Sequence, residues 1–142
     1  MGAVISVLRA MLGLGAGRRH RAARIHRDGQ QSLASLELEL ADSMPRRAKG
    51  LMGRSGLDGY DGMLFLYPWP RTVRIWMANT LIPLDVVFVD RSGRIVKITP
   101  ELQPHSRKWV SSDQAVKWVL EIAGGRAAVL GLQAGDRVEF GP

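Results

Sequence analysis

Residues 84–99 read LDVVFVDRSGRIVKIT, two apolar runs rich in β-branched residues on either side of Asp90-Arg91-Ser92-Gly93. β-Branched runs of this length fit a pleated, half-buried surface. The interruption between them carries a glycine where a hairpin loop needs a left-handed residue. The stretch therefore predicts two adjacent antiparallel strands, and the rest of the chain is read outward from it.

Upstream, GMLFLY (62–67) is a continuous apolar run with the length of a buried strand, and TVRIWM (72–77) alternates Val73, Ile75 and Met77 against Thr72, Arg74 and Trp76. YPWP between them predicts a turn or a sheet edge, because neither proline has an amide proton to give a ladder. SLELEL (35–40) sets Leu36, Leu38 and Leu40 against Ser35, Glu37 and Glu39, the pattern of a strand with one wet face. Between these, DSMPRRAKGLMGRSG predicts a short helix with Ser43 as N-cap, Pro45 in the first turn, Met44, Ala48, Leu51 and Met52 on one face, and Gly53 or Gly56 at its end. Downstream, residues 100–112 contain Pro100 and Pro104 and read as a loop. VKWVLEI (116–122) places Val116, Trp118, Leu120 and Ile122 on one strand face, with Lys117 and Glu121 on the other. RAAVLG offers a helical turn closed by Gly131, and DRVEF a last strand. Short strands separated by turn signals predict a mainly β fold: one antiparallel β-sandwich or barrel-like domain with one or two short helices.

A chain of 142 residues is the size of one domain. Its net charge of +7 is unevenly placed. Residues 1–27 hold six arginines and no acid, whereas residues 28–142 hold fourteen basic and thirteen acidic side chains. That distribution argues against a nucleic-acid-binding domain. It also divides the chain into a basic leader, 1–31, and a folded body, 32–142. The leader's apolar start is interrupted by Arg9 and is too short to span a bilayer. Val4, Ile5, Leu8, Met11 and Leu12 share one helical face, which fits peripheral contact with a membrane surface through residues 1–27. A disordered segment and a degenerate export signal fit the composition as well, as does an acylation pattern at Met1-Gly2 with Ser6. Periplasmic and cytoplasmic locations both stay open.

Several chemistries are excluded or disfavoured. With no cysteine there is no disulfide, thiolate nucleophile or zinc-finger site. P-loop, dinucleotide-binding, HExxH and G-x-S-x-G signatures are absent. His105 is the one histidine of the body and cannot build an imidazole metal site alone, and Met52, Met63 and Met77 read as core filling before they read as Cu(I) ligands. No metal and no cofactor is expected.

The chemistry that remains lies in WMANTLIPLD (76–85), where polar side chains interrupt an apolar run. Asp85 stands between Leu84 and Val86 and cannot be buried ionised without a cation or several hydrogen-bond donors. Arg47, Arg54, Arg71 and Arg74 are the available cations, and a turn capped through the backbone of Asn79 and Thr80 is the structural alternative. Glu121, also flanked by apolar residues, could form an acid/base pair with Asp85 in a hydrolase. Trp69, Trp76, Trp109 and Trp118, with Tyr60 and Tyr67, supply rings for core packing or for stacking on a ligand.

GLMGR (50–54), GMLF (62–65), WMANTLIPLDVVFVD (76–90), SGRIVKI (92–98), VLEIAGG (119–125) and LGLQAGDRV (130–138) occur in an order and spacing that resemble the DUF192 family, also called UPF0127. The resemblance spans about residues 35–140 and implies a compact β-rich domain of no established activity. It carries the family's motif positions onto Gly50, Leu51, Met52, Arg54, Gly62, Met63, Trp76, Met77, Asn79, Thr80, Pro83, Asp85, Glu121, Gly124 and Asp136. Ala78 departs from it, since lysine is common there. The expected function is a noncatalytic binding or accessory domain in which Arg54, Trp76, Asn79, Thr80 and Asp85 hold a small polar ligand such as a carbohydrate. The alternatives are a hydrolase using Asp85 and Glu121, and a structural or protein-interaction domain without a ligand.

Overall fold

Seven strands form one sheet in the order β5-β4-β6-β3-β2-β1-β7. They are β1 (His20–His26), β2 (Ser32–Ala41), β3 (Gly62–Ile75), β4 (Leu84–Val89), β5 (Ile95–Leu102), β6 (Val110–Ala123) and β7 (Arg137–Phe140), with helices α1 (Met44–Lys49) and α2 (Arg126–Leu130). The structure, a computed structural model, describes residues 18–29 and 32–142. The amphipathic face at Val4–Leu12 and the acylation pattern lie outside the described residues.

The mainly β expectation holds, in the barrel-like form. The sheet curls until its two edge strands meet. Ile95 N donates to Asp136 O (2.8 Å), Gly135 N to Ile95 O (2.7 Å) and Val138 N to Gly93 O (2.7 Å), so the start of β5 is laced to β7. Gly93 is required at this seam. Its φ is +87°, and a Cβ there would stand 2.8 Å from Val138 O. The 84–99 hairpin is present as read, with Asp90 Oδ1 accepting from the amides of Ser92 and Arg94. One pairing is not antiparallel: β2 and β3 run parallel, because α1 and the following loop carry the chain back to the same end of the sheet.

The curl gives the sheet two buried faces. Inside it, Ile25, Leu38, Leu64, Val87, Ile95, Leu120, Ile122 and Val138 pack together, drawn from all seven strands. Outside it, Met63, Phe65, Val73, Leu84, Val86, Phe88 and Val119 form a second core against Leu51 and Met77. Alternation on β6 follows this division: Trp118, Leu120 and Ile122 point inward and Val119 outward. Val116 departs from the predicted face and joins the outer core.

Three expectations change. The leader's boundary at residue 31 falls too late, because β1 is an integral strand between β2 and β7. Ala23 and Ile25 are fully buried on its inner side. The arginines flanking it meet carboxylates of the body: Arg18 with Asp58, Arg19 with Asp42, and Arg27 with Asp136. Second, YPWP does not end a strand. β3 runs through it, with a register shift between Leu66 and Arg71 that takes both prolines out of the ladder. Third, α1 has its Ser43 cap and Pro45 as read but buries no residue, and Met44 is exposed. This short helix serves as a wall, and only Leu51 behind it reaches the core.

Candidate functional site

WMANTLIPLD is divided by its own conformation. Met77 is buried and its carbonyl accepts from Thr80 N (3.1 Å), closing a turn in which Asn79 has φ +57°. Asparagine tolerates that left-handed position better than most residues. Its side chain is exposed, and its carbonyl accepts from Gly53 N (2.8 Å), which ties the turn to the loop after α1. Ala78 is buried in the same turn.

Asp85 is fully buried and answers its charge without any arginine. Oδ1 accepts from Glu101 N (2.8 Å) and Gly125 N (2.9 Å), and Oδ2 from Ala127 N (2.8 Å). Three amide donors are enough to hold an ionised carboxylate in a core. The group fastens β5 and the start of α2 to β4, and no acceptor capacity is turned toward a cleft. Neither an ion pair nor a cap on Asn79 and Thr80 describes it.

The Asp85–Glu121 pair is not assembled. Asp85 is opposite Ile122 and Val86 opposite Glu121 in the β4–β6 ladder. Opposed residues share a face and neighbours alternate. Asp85 therefore points to the inner face and Glu121 to the outer one, with the sheet between them, and a joint acid/base role is ruled out. Arg54 is also engaged elsewhere, in a two-point pair with Glu39 (Nη2 to Oε1, 3.0 Å).

What the fold does assemble is a cavity of about 190 Å³ on the outer face. Glu121 and Phe65 lie at its base. α1 forms one wall with Arg47 and Gly50, and Tyr67, Arg74, Trp76, Thr80 and Trp109 close the other sides. Two residues of the expected set, Trp76 and Thr80, belong to it, as does Glu121. Trp76 and Trp109 stack with centroids 4.5 Å apart and planes within 5°. The Arg74 guanidinium lies 4.8 Å from the Trp109 ring centre and that of Arg47 lies 5.1 Å from Tyr67. Arg47 Nη1 also donates to Leu66 O (2.9 Å). Beneath the base, β3 and β6 press together at Gly62, where a Cβ would fall 2.0 Å from Glu121 O.

Glu121 is the chemically unusual member. It is 6% exposed, and no described residue pairs with its carboxyl. Burial alone pushes it up from 4.5 to about 7. Such a carboxyl passes between its protonated and ionised forms near neutrality, and the protonated form can both donate and accept. Burial likewise raises the Tyr67 hydroxyl, against the pull of Arg47 and Arg71. Among the described residues no three His, Asp or Glu side chains converge as a metal centre would require.

The motif positions on the chain are matched from end to end by the model of DUF192, described as an uncharacterized ACR, over residues 24–140. The chain belongs to the DUF192 family. That match opens inside β1, in accord with a folded body that starts before Ser32. Two solved structures are similar. One, from Sinorhizobium meliloti and described as a candidate transcription regulator, has 34% identity over 87% of this chain and 95% of its own, with a TM-score of 0.81. The other, a protein of unknown function from Novosphingobium aromaticivorans, has 34% identity over 87% of each chain and a TM-score of 0.77. No curated protein matches.

The sequence did not point to Phe65; it offered Arg47 and Arg74 only as partners for Asp85, and Tyr67 and Trp109 only among rings for packing or stacking. They come from α1, two parts of β3 and the β5–β6 connection. No local motif groups them. The clearest local signal was that of Glu121, a charge inside the apolar run VLEIA.

Proposed function

We propose that this DUF192 domain is a noncatalytic binding or accessory domain whose outer-face cavity takes a small polar ligand. The observation that carries the reading is Glu121: a buried carboxyl with no hydrogen-bond or ion-pair partner among the described residues, at the base of a cavity walled by aromatic rings. The carboxyl faces the cavity, where a ligand donor or hydroxyl can meet it. Thr80 Oγ1 donates to Ala78 O (3.4 Å) and keeps lone pairs for a second donor. The space corresponds to about six waters at ~30 Å³ each, well below the ~300–1,000 Å³ typical of drug-sized sites. A single sugar ring is of that size, and the stacked tryptophans supply the flat apolar wall such a ring packs on.

Among the residues first expected to bind, Trp76 and Thr80 remain in this proposal. Arg54, Asn79 and Asp85 act instead as an ion-pair partner, a turn residue and an internal fastening. A thermal-shift screen of small polar compounds, followed by tryptophan fluorescence titration of hits, tests the reading. Hits should lose their effect in Glu121→Met and in Trp76→Ala. Hits that stabilise both variants as they do the parent would place the site elsewhere.

A further inference from the structure

The rim of the cavity carries positive charge that no carboxylate of the described residues answers. Arg47, Lys49 and Arg74 line it, and among the described residues no carboxylate pairs with any of them. The neighbouring groove, lined by Arg18, Arg19, Glu39, Arg46 and Arg54 and sharing Lys49 with the cavity, differs in its arginines. There each guanidinium has its carboxylate: Arg18 with Asp58, Arg19 and Arg46 with Asp42, Arg54 with Glu39. The fold thus neutralises one basic cluster from within and leaves the other open at the mouth of a cavity.

The open guanidiniums are also oriented. Arg47 and Arg74 each rest on a ring, Tyr67 and Trp109 respectively. A guanidinium held by its flat face keeps its N–H donors in the plane, in the fork that matches a carboxylate. At the base, Glu121 and Thr80 offer hydroxyl-matching groups, and the walls between are aromatic.

Resting on the reading above, we propose that the ligand is a small anionic polyol, a sugar acid or similar hydroxycarboxylate. Its acid group meets Arg47 and Arg74 at the rim, and its hydroxyls meet Glu121 and Thr80 at the base. A cationic ligand is disfavoured by the three rim cations, and a fully apolar one would leave Glu121 unpaired.

Calorimetric titration of the full chain near neutral pH with galacturonate and glucuronate, each against its neutral hexose, and with glucosamine as the cationic counterpart, is the test. The acids should bind on the order of tenfold or more tightly than the neutral sugars, the worth of a charge-assisted pair. That preference should fall with added salt and disappear in R47Q/R74Q. R74Q alone, at an exposed residue with no hydrogen bond to lose, should reduce it without affecting folding. Equal binding of acid and neutral sugar, lost in Glu121→Met, would overturn the anionic assignment and keep the cavity as the site. Tighter binding of glucosamine would overturn it too. Absence of binding by every member at millimolar concentration would overturn both the ligand class and the cavity reading.

Discussion

Replacing Glu121 by glutamine should make the protein more stable at alkaline pH and leave it nearly unchanged in acid. The carboxyl is displaced by burial from 4.5 to about 7, which at about 1.36 kcal/mol per pH unit corresponds to roughly 3 kcal/mol as an upper bound. Below pH 4.5 the folded and unfolded chains both hold the proton, and between 4.5 and about 7 only the folded chain does. Above that range the folded carboxyl must ionise with no partner. Its contribution is therefore whole in acid and lost as pH rises through about 7. Asp136 works the other way. Burial opposes its ionisation, but the Arg27 guanidinium and the Gln133 amide hold it below the ordinary carboxylate range. Its contribution is lost as pH falls, and it cancels when variant and parent are compared at one pH. Urea titrations of both at about pH 4 and about pH 8.5 should show a difference that opens from near zero to as much as ~3 kcal/mol. A difference that is the same at both values would refute the assignment of Glu121 as a buried, unpartnered carboxyl.

Asp85→Asn should cost about 2 kcal/mol, since its amide group would face one of the three N–H donors that the carboxylate now accepts from. Denaturant melts would measure the loss, and a neutral substitution would show that the triple fastening is not what holds β4 to α2. Ile25→Ala, in the strand that composition assigned to a leader, should cost about 2–4 kcal/mol because Ile25 is fully buried in the inner core. A change within about 0.5 kcal/mol, the range of surface substitutions, would detach β1 from the fold.

Patterns of two to eight neighbouring residues were enough to read the hairpin at 84–99, the Leu36–Leu38–Leu40 strand, the Ser43 cap, the short helix closed by Gly131 and the mainly β class. Those signals are local, since φ preferences, side-chain alternation and capping act between residues close in the chain. β1 was legible only in outline: Ala23 and Ile25 do alternate with Arg24 and His26, but the arginines dominate the composition. Its place became clear only where Asp42, Asp58 and Asp136 come from distant segments to meet Arg19, Arg18 and Arg27 at its two ends. Pro68 and Pro70 marked a break correctly, yet whether the break ends a strand or bulges from one depends on the partner β6.

The sequence by itself determined that WMANTLIPLD is special, that Asp85 and Glu121 need explaining, and which family pattern the chain follows. It could not say that one carboxylate is saturated by amides inside the curl while the other is unpaired outside it. That outcome depends on strand register, and a shift of one residue would exchange the two faces. Only the tertiary structure brings Arg47, Tyr67, Arg74 and Trp109 around Glu121, because burial and missing partners are properties of space and have no counterpart in the order of residues.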